Sequence, residues 1–336
     1  MGYFLLGYGA SGDHGSEERV RGICRVLPGK PEVYSHALEE DWHYGLAELA
    51  GLRRHLPGEP RRQIGPEDIC LLASPGGGEG LRRGTCGVLW GWMPGETPSR
   101  RAAGQLGRLN AVLVSVPDAV DALRRAGVEK NVRLAPDPAF LVERRIRALN
   151  GAFRRETVGL CLSPAVCSFQ RAEGLLYRSY CHLIRWILDN TPWQIALIPY
   201  CVRPGRDDRL LHRVLARQFV ETGRILCRAD GDCRELRGDI SLCRCCVGTA
   251  GTLAGWSCGV PGLCIGASVR ARGMARVLFG TAQETVVSVR SLRREEELTE
   301  RFCGFLRQED VLRRRLLGAG ARYRQWAQQW RLENVI

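Results

Sequence analysis

The stretch CCVGTAGTLAGWSCGVPGLCIGASV, residues 245–269, decides the fold. It carries no charge and is long enough to cross a bilayer. Six glycines and Pro261 interrupt it, however, and Leu and Ile are sparse. A membrane helix is poorly served by such a run. Two short buried strands flanking a glycine-opened helix explain it better. The stretch therefore reads as one step of an α/β fold, and no transmembrane segment is expected.

Working outward, the same rhythm recurs. TVGLCLSP (157–164) is a strand with a turn, and LLYRSYCHLIRWILDN (175–190) is an amphipathic helix. WQIALIPY (193–200) is a strand, RDDRLLHRVLARQF a helix, and RILC a strand. Asp207 and Asp208 open that helix, where acids suit the positive end of the dipole, so both read as caps. His182 and His212 lie on helix faces and read as solvated or core-edge residues. In the first half, DICLLAS (68–74), GTCGVLWGW (84–92), AVLVSV (111–116) and NVRLAPDPAF (131–140) supply strands, and Asp137 between two prolines reads as structural. Strands alternating with helices predict two doubly wound parallel sheets. Two Rossmann-like domains facing across a cleft would bind a ligand at the carboxyl ends of their strands.

The chain opens LLGYGASGDHGSEE: a buried strand, a glycine-rich turn and a helix start. Backbone amides at such a turn suit an anion or a polar ligand. A tight strand-to-helix turn with no ligand fits the spacing equally. His14 with Asp13 is placed to orient a sugar hydroxyl; the alternative is an Asp13 cap with His14 against the next helix.

The 336 residues predict two domains. The net charge is +13, but Lys occurs only at 30 and 130, so nearly all of it is Arg scattered among acids. No single basic arm and no aromatic interleaving point to nucleic acid. Scattered Arg is better suited to anionic small molecules. Fifteen cysteines with no basic leader before the first strand imply a reduced, cytoplasmic setting with thiols acting as small hydrophobes. CRCC (243–246) has a metal-like spacing but no second pair or nearby His, so no metal and no cofactor is expected.

In sequence order, LLGYGASGDHGSEERVR, LASPGGGEG, GVLWGWMPGE, LAPDPAFLVE, TVGLCLSP, QIALIPY and GVPGLCIGASVRARGMARVLFG resemble the polysaccharide pyruvyl transferase family over nearly the whole chain. The resemblance implies a glycosyltransferase-B-like fold: residues 1–147 on the acceptor side, 148–309 on the donor side, and 310–336 a helix packing back on the first domain. It also implies transfer of a pyruvyl group from phosphoenolpyruvate, or a related anionic donor, to a sugar or lipid-linked saccharide in cell-surface polysaccharide assembly. On this reading His14 and Asp13 do acid–base work. Gly9, Ser11, Gly12, Gly15, Glu17, Gly77 and Gly78 line the acceptor side, with Glu17 capping the helix. Arg270, Arg272, Ser163, Tyr200, Thr249 and Thr252 hold the donor, the two arginines facing the cleft.

The chain departs from the family at three places. Neither Arg nor His lies between Cys245 and Pro261, Tyr200 stands in a His position, and VPDA (116–119) replaces a polar segment. Two alternatives therefore stand beside pyruvyl transfer: a nucleotide-sugar glycosyltransferase on the same scaffold, and a silent homologue that binds a glycan or donor. Self-association as a homo-oligomer is left open.

Overall fold

A computed structural model describes residues 1–8, 11–55, 64–74, 81, 84–91, 98–147, 156–169, 174–266 and 268–334. The chain divides into two compact units. Unit 1 comprises Met1–Val142, Ser268–Met274 and Arg322–Ile336, and unit 2 comprises Glu143–Ala267 and Ala275–Ala321.

Unit 1 holds β1 (Tyr3–Leu6), β2 (Glu32–Ser35), β3 (Gly51–Arg54), β4 (Ile69–Leu72), β5 (Cys86–Trp90), β6 (Ala111–Val114) and β7 (Val132–Leu134). They form one parallel sheet in the order β3-β2-β1-β4-β5-β6-β7. The order reverses between β1 and β4, which makes the carboxyl ends of those strands the switch point. The central strands β4 and β6 are continuous apolar runs, ICLL and AVLV, buried at every position. Their helices are α1 (His14–Val26), α2 (Leu38–His43), α3 (Arg100–Leu106) and α4 (Pro117–Arg125). Trp90 fills the core against Trp330, ring centroids 4.6 Å apart, and its indole N–H donates to the Pro136 carbonyl at 3.2 Å. Helix α1 lies directly on the 3-10 turn Pro138–Leu141. A Cβ at Gly22 would stand 2.0 Å from the Pro138 carbonyl oxygen, so only glycine fits.

Unit 2 repeats the plan with β8 (Thr157–Cys161), β9 (Gln194–Leu197), β10 (Ile225–Cys227), β11 (Cys245–Gly248), β12 (Gly262–Ile265) and β13 (Val286–Val287). The order is β10-β9-β8-β11-β12-β13, all parallel, with its switch point between β8 and β11. Helices α5 (Leu175–Asn190), α6 (Asp208–Gln218), α7 (Cys233–Ser241), α8 (Ala250–Ser257), α9 (Val269–Phe279), α10 (Glu297–Arg307) and α11 (Glu309–Gln329) follow in sequence, with 269–274 of α9 and 322–329 of α11 counted in unit 1. The stretch 245–269 folds as strand, helix and strand, ending where α9 begins. No helix among the described residues is long and apolar enough to cross a membrane.

Sequence reading passed over β2, α2 and β3, and the reason is physical. The edge strand β3 reads GLRR with both arginines exposed, so it lacks the apolar run that marks its inner neighbours. The fourteen cysteines other than Cys167 are free thiols. Cys161, Cys243, Cys245 and Cys246 are buried in the unit 2 core. Burial raises the Cys161 and Cys245 thiols well above the ordinary range. Among the described residues no group of three or more His, Cys, Asp or Glu is arranged to hold a metal ion.

The contact at Gly22 gives a direct test. Gly22→Ala is expected to lower stability by about 3 kcal/mol, because backbone and not a flexible side chain blocks the new methyl. Gly104→Ala, within α3 and with nothing within 4 Å, should be neutral or stabilising by up to about 1 kcal/mol. Urea unfolding of both variants decides; equal effects would contradict the packing.

Candidate functional site

In unit 1 the chain leaves β1 through Gly7, whose φ of 74° belongs to the left-handed region. Tyr8 then reaches across the sheet, its hydroxyl donating to the Trp90 carbonyl at 3.1 Å. Ser11 turns inward: its amide and hydroxyl both donate to Asp41 Oδ1, at 2.9 and 2.6 Å. Asp13 is the cap of α1, accepting from the Ser16 amide at 3.3 Å. Glu17 is not the cap that the sequence suggested. Its carboxylate lies between His14 Nδ1, at 2.9 Å, and Arg21 Nε, at 2.7 Å. Arg21 also donates to the Tyr44 carbonyl, and the His14 ring stands edge-on to Tyr44 at 5.3 Å. His14 and Glu17 have no exposed surface and Arg21 has 1%. The chain His14–Glu17–Arg21 thus fixes the loop from within, and Asp13 is its half-buried neighbour. Gly12 and Gly15 are buried; Gly9, Gly77 and Gly78 lie outside the described residues.

Arg270 also belongs to unit 1. Its Nε and Nη2 donate to Asp137 Oδ2 at 2.8 and 2.6 Å. Asp137 Oδ1 accepts from the Ala139 amide, and the Asp137 amide donates to the Tyr323 hydroxyl at 2.8 Å. Burial alone would lower the Arg270 pKa; the Asp137 carboxylate reverses that and holds it above its ordinary value. Arg19 is the neighbouring cation. It donates to the Ser16 hydroxyl at 2.9 Å and to the Gly15 and Gly91 carbonyls at 3.3 Å. Burial, and then repulsion from Arg270, keep its pKa below the usual value. Removing the Arg270 guanidinium would leave the Asp137 carboxylate buried and without this partner, so its first duty is to hold 268–274 on the Asp137 turn. Arg272 is half-buried on the same helix.

In unit 2 the switch point is built around the β11–α8 turn. The register pairs Cys161 with Gly248, so Ser163 and Thr249 follow at the carboxyl ends of adjacent strands. A Cβ at Gly248 would stand 2.1 Å from the Cys161 carbonyl oxygen, and one at Gly251 would stand 2.5 Å from Cys161 Sγ. Both glycines are thus required by packing. Thr249 is held against β8, its amide and hydroxyl donating to the Cys161 carbonyl at 3.0 and 3.3 Å. The half-buried Thr249 and Ala250 open α8, whose first amides have no partner inside the helix. Thr252, one turn in, is fully buried and its hydroxyl has no hydrogen-bond partner among the described residues. Tyr200 is 2% exposed and packs in the core with Cys161 and Ala254.

Two titratable groups, Asp208, expected as a cap, and His212, expected as solvated or core-edge, support this edge from α6. Asp207 is the cap, as expected, accepting from the Arg209 amide at 2.9 Å. Asp208 is buried instead, its Oδ2 accepting from the Tyr200 and Cys201 amides at 2.9 Å each. Burial pushes its pKa up to about 6, against the pull of the Ser163 hydroxyl and those amides. His212, one turn on, is 2% exposed, and its Nε2 donates to the Leu162 carbonyl at 2.9 Å. Burial lowers its pKa to about 4, so the ring is neutral. The sequence signal was available: Asp208, His212 and Leu215 share one helix face. Chemically, the β8/β11 edge offers helix amides to an anion, with no charged side chain in 245–261.

Sequence comparison finds no matching family model and no matching curated protein. Comparison with solved structures finds likeness over the whole chain. A putative UDP-N-acetylglucosamine 2-epimerase from Listeria monocytogenes matches with a TM-score of 0.65 at 10% identity, over 97% of this chain and 93% of that one. Sucrose-phosphate synthase from Thermosynechococcus elongatus gives 0.59 at 12% identity, over 99% and 95%. HepE from Anabaena, solved with UDP-glucose, gives 0.58 at 12% identity, over 96% and 94%. At such identities the likeness shows the fold: two Rossmann-like domains of the glycosyltransferase-B kind.

The buried histidine sets a pH dependence. A folded-state pKa below the unfolded value contributes stability that is present above about pH 6.5 and lost as pH falls toward 4. His212→Gln cannot titrate, so the wild type should gain on it by about 3 kcal/mol between pH 4 and pH 7. Asp208 runs the opposite way: its raised pKa removes stability as pH rises from about 4 to 6, and it does so in both proteins. Urea midpoints across this range check the difference; a constant gap would contradict the neutral buried ring.

Proposed function

We propose that the protein transfers a sugar from a nucleoside diphosphate-sugar bound on unit 2, with the loop between β1 and α1 serving the acceptor. The observation that carries this reading is the turn Gly248–Gly251 at the β8/β11 switch point. There, uncharged α8 opens beside Ser163 and Thr249. A diphosphate gains from amides and the positive end of a helix dipole, and the same groups stabilise the leaving nucleotide as charge develops on it. Ala250 and Gly251 supply the amides, on a turn that the Thr249 hydroxyl ties to the Cys161 carbonyl and beside the Ser163 hydroxyl that bonds Asp208. The neighbours support uridine as the base, since HepE was solved with UDP-glucose. On the acceptor side Asp13 is the carboxylate nearest to solvent beside the buried His14–Glu17 pair, and is assigned the acceptor hydroxyl.

Phosphoenolpyruvate fits this edge less well. It carries a carboxylate and a phosphate and must be protonated at carbon, which calls for fixed cations and an acid. Residues 245–261 supply neither Arg nor His, and Tyr200 is buried.

Calorimetry with UDP-glucose and with phosphoenolpyruvate separates the readings. UDP-glucose is expected to bind, and Thr249→Val, which removes the hydroxyl bond holding the turn on the Cys161 carbonyl, to weaken it about threefold to tenfold, the worth of one neutral hydrogen bond. Binding of phosphoenolpyruvate alone would restore pyruvyl transfer. If neither donor binds at millimolar concentration, the silent glycan-binding reading replaces both.

A further inference from the structure

We propose that the outward face of α6 is a docking surface for an anionic membrane. The helix is amphipathic in an unusual sense. Its inner face, Asp208, His212 and Leu215, is buried against the unit 2 sheet. Its outer face carries large apolar side chains that no other element covers: Leu210 is 57% exposed and Val214, one turn on, 52%. Val220, just past the helix end, is 66% exposed. Exposed Arg213 and Arg217 lie at the spacing that puts them on the same side as Leu210 and Val214, and exposed Arg206 stands just before the Asp207 cap. Among the described residues none of these three arginines is within ion-pair distance of a carboxylate, Arg213 acting on Asp207 only through its charge, whereas Arg209 on the flank is bonded to Asp207.

Charge complementarity identifies the occupant. Apolar side chains bracketed by unpaired cations, on a helix lying flat on its own domain, match the boundary between acidic headgroups and acyl chains. Aliphatic anchors at the centre favour lipid over nucleic acid, which would need exposed rings for stacking; Phe219, the ring on this stretch, is buried. The inference stands apart from the donor reading, because it concerns α6 alone and its test needs no activity.

Cosedimentation of the full chain with vesicles of phosphatidylcholine, with and without phosphatidylglycerol, tests it. The protein is expected to partition onto the acidic vesicles and to be released by salt. Arg213→Gln with Arg217→Gln should weaken partitioning roughly fivefold for each arginine. Leu210→Ser with Val214→Ser should weaken it at least as far. All four positions are exposed, so the variants should fold as the parent does. Val311→Ser with Arg314→Gln, an exposed pair on α11, should change nothing. Absence of binding would overturn the proposal. So would an unaffected serine variant, an equal loss in the α11 pair, or tight RNA binding abolished by the same arginine changes.

Discussion

Both units depend on one constraint: backbone packed directly on backbone at positions where no side chain fits. At Gly22 the obstacle is the Pro138 carbonyl, at Gly238 the Arg145 carbonyl, at Gly248 the Cys161 carbonyl and at Gly262 the Cys246 carbonyl. Each contact lies within one unit, and each ties a helix, strand or turn to its neighbour at close range. In unit 2 this has a functional consequence. The β11–α8 turn is held at the strand end by Gly248 and Gly251, so the first amides of α8 are fixed before any ligand arrives. Preorganised donors of that kind need no rearrangement to meet an anion.

The charge distribution follows from the same economy of space. Part of the arginine is used in ion pairs within unit 2. The fully buried Asp239 receives Arg228 and Arg147, Arg145 bridges Asp232 and Glu235, and Arg244 joins Glu156 and Glu309. Arg270 belongs to this class through Asp137. A planar guanidinium with several donors can satisfy a carboxylate and nearby carbonyls together, which lysine cannot do as well. The net charge of +13 is thus a poor guide to any single surface; what sets α6 apart is that its exposed arginines flank exposed Leu210 and Val214.

Much of the fold was legible in the sequence because the inner strands are unbroken apolar runs. The reading of 245–269 as strand, helix and strand, and of 175–190 as a helix, matches the structure. Elements whose pattern is diluted were not legible. The arginine-bearing edge strand β3 and the two-residue β13 are examples. The candidate site was less readable. His212 was placed near the surface because polar Asp208 and His212 interrupt the apolar stripe of α6, although both face inward. Glu17 was read as a cap, a role that Asp13 fills, because a first-turn acid suits either position. The Arg270–Asp137 pair spans 133 residues of sequence, and nothing local predicts it.

The central claim is that unit 2 holds a nucleotide donor where β8 and β11 end. Amide hydrogen exchange of the full chain, with and without saturating UDP-glucose, tests it most directly. The account predicts ligand-dependent protection in the segments that carry Ser163 and Thr249–Thr252, with β9 and β10 unchanged. Protection confined to the β1–α1 loop, or absent from both segments under saturating ligand, would contradict it.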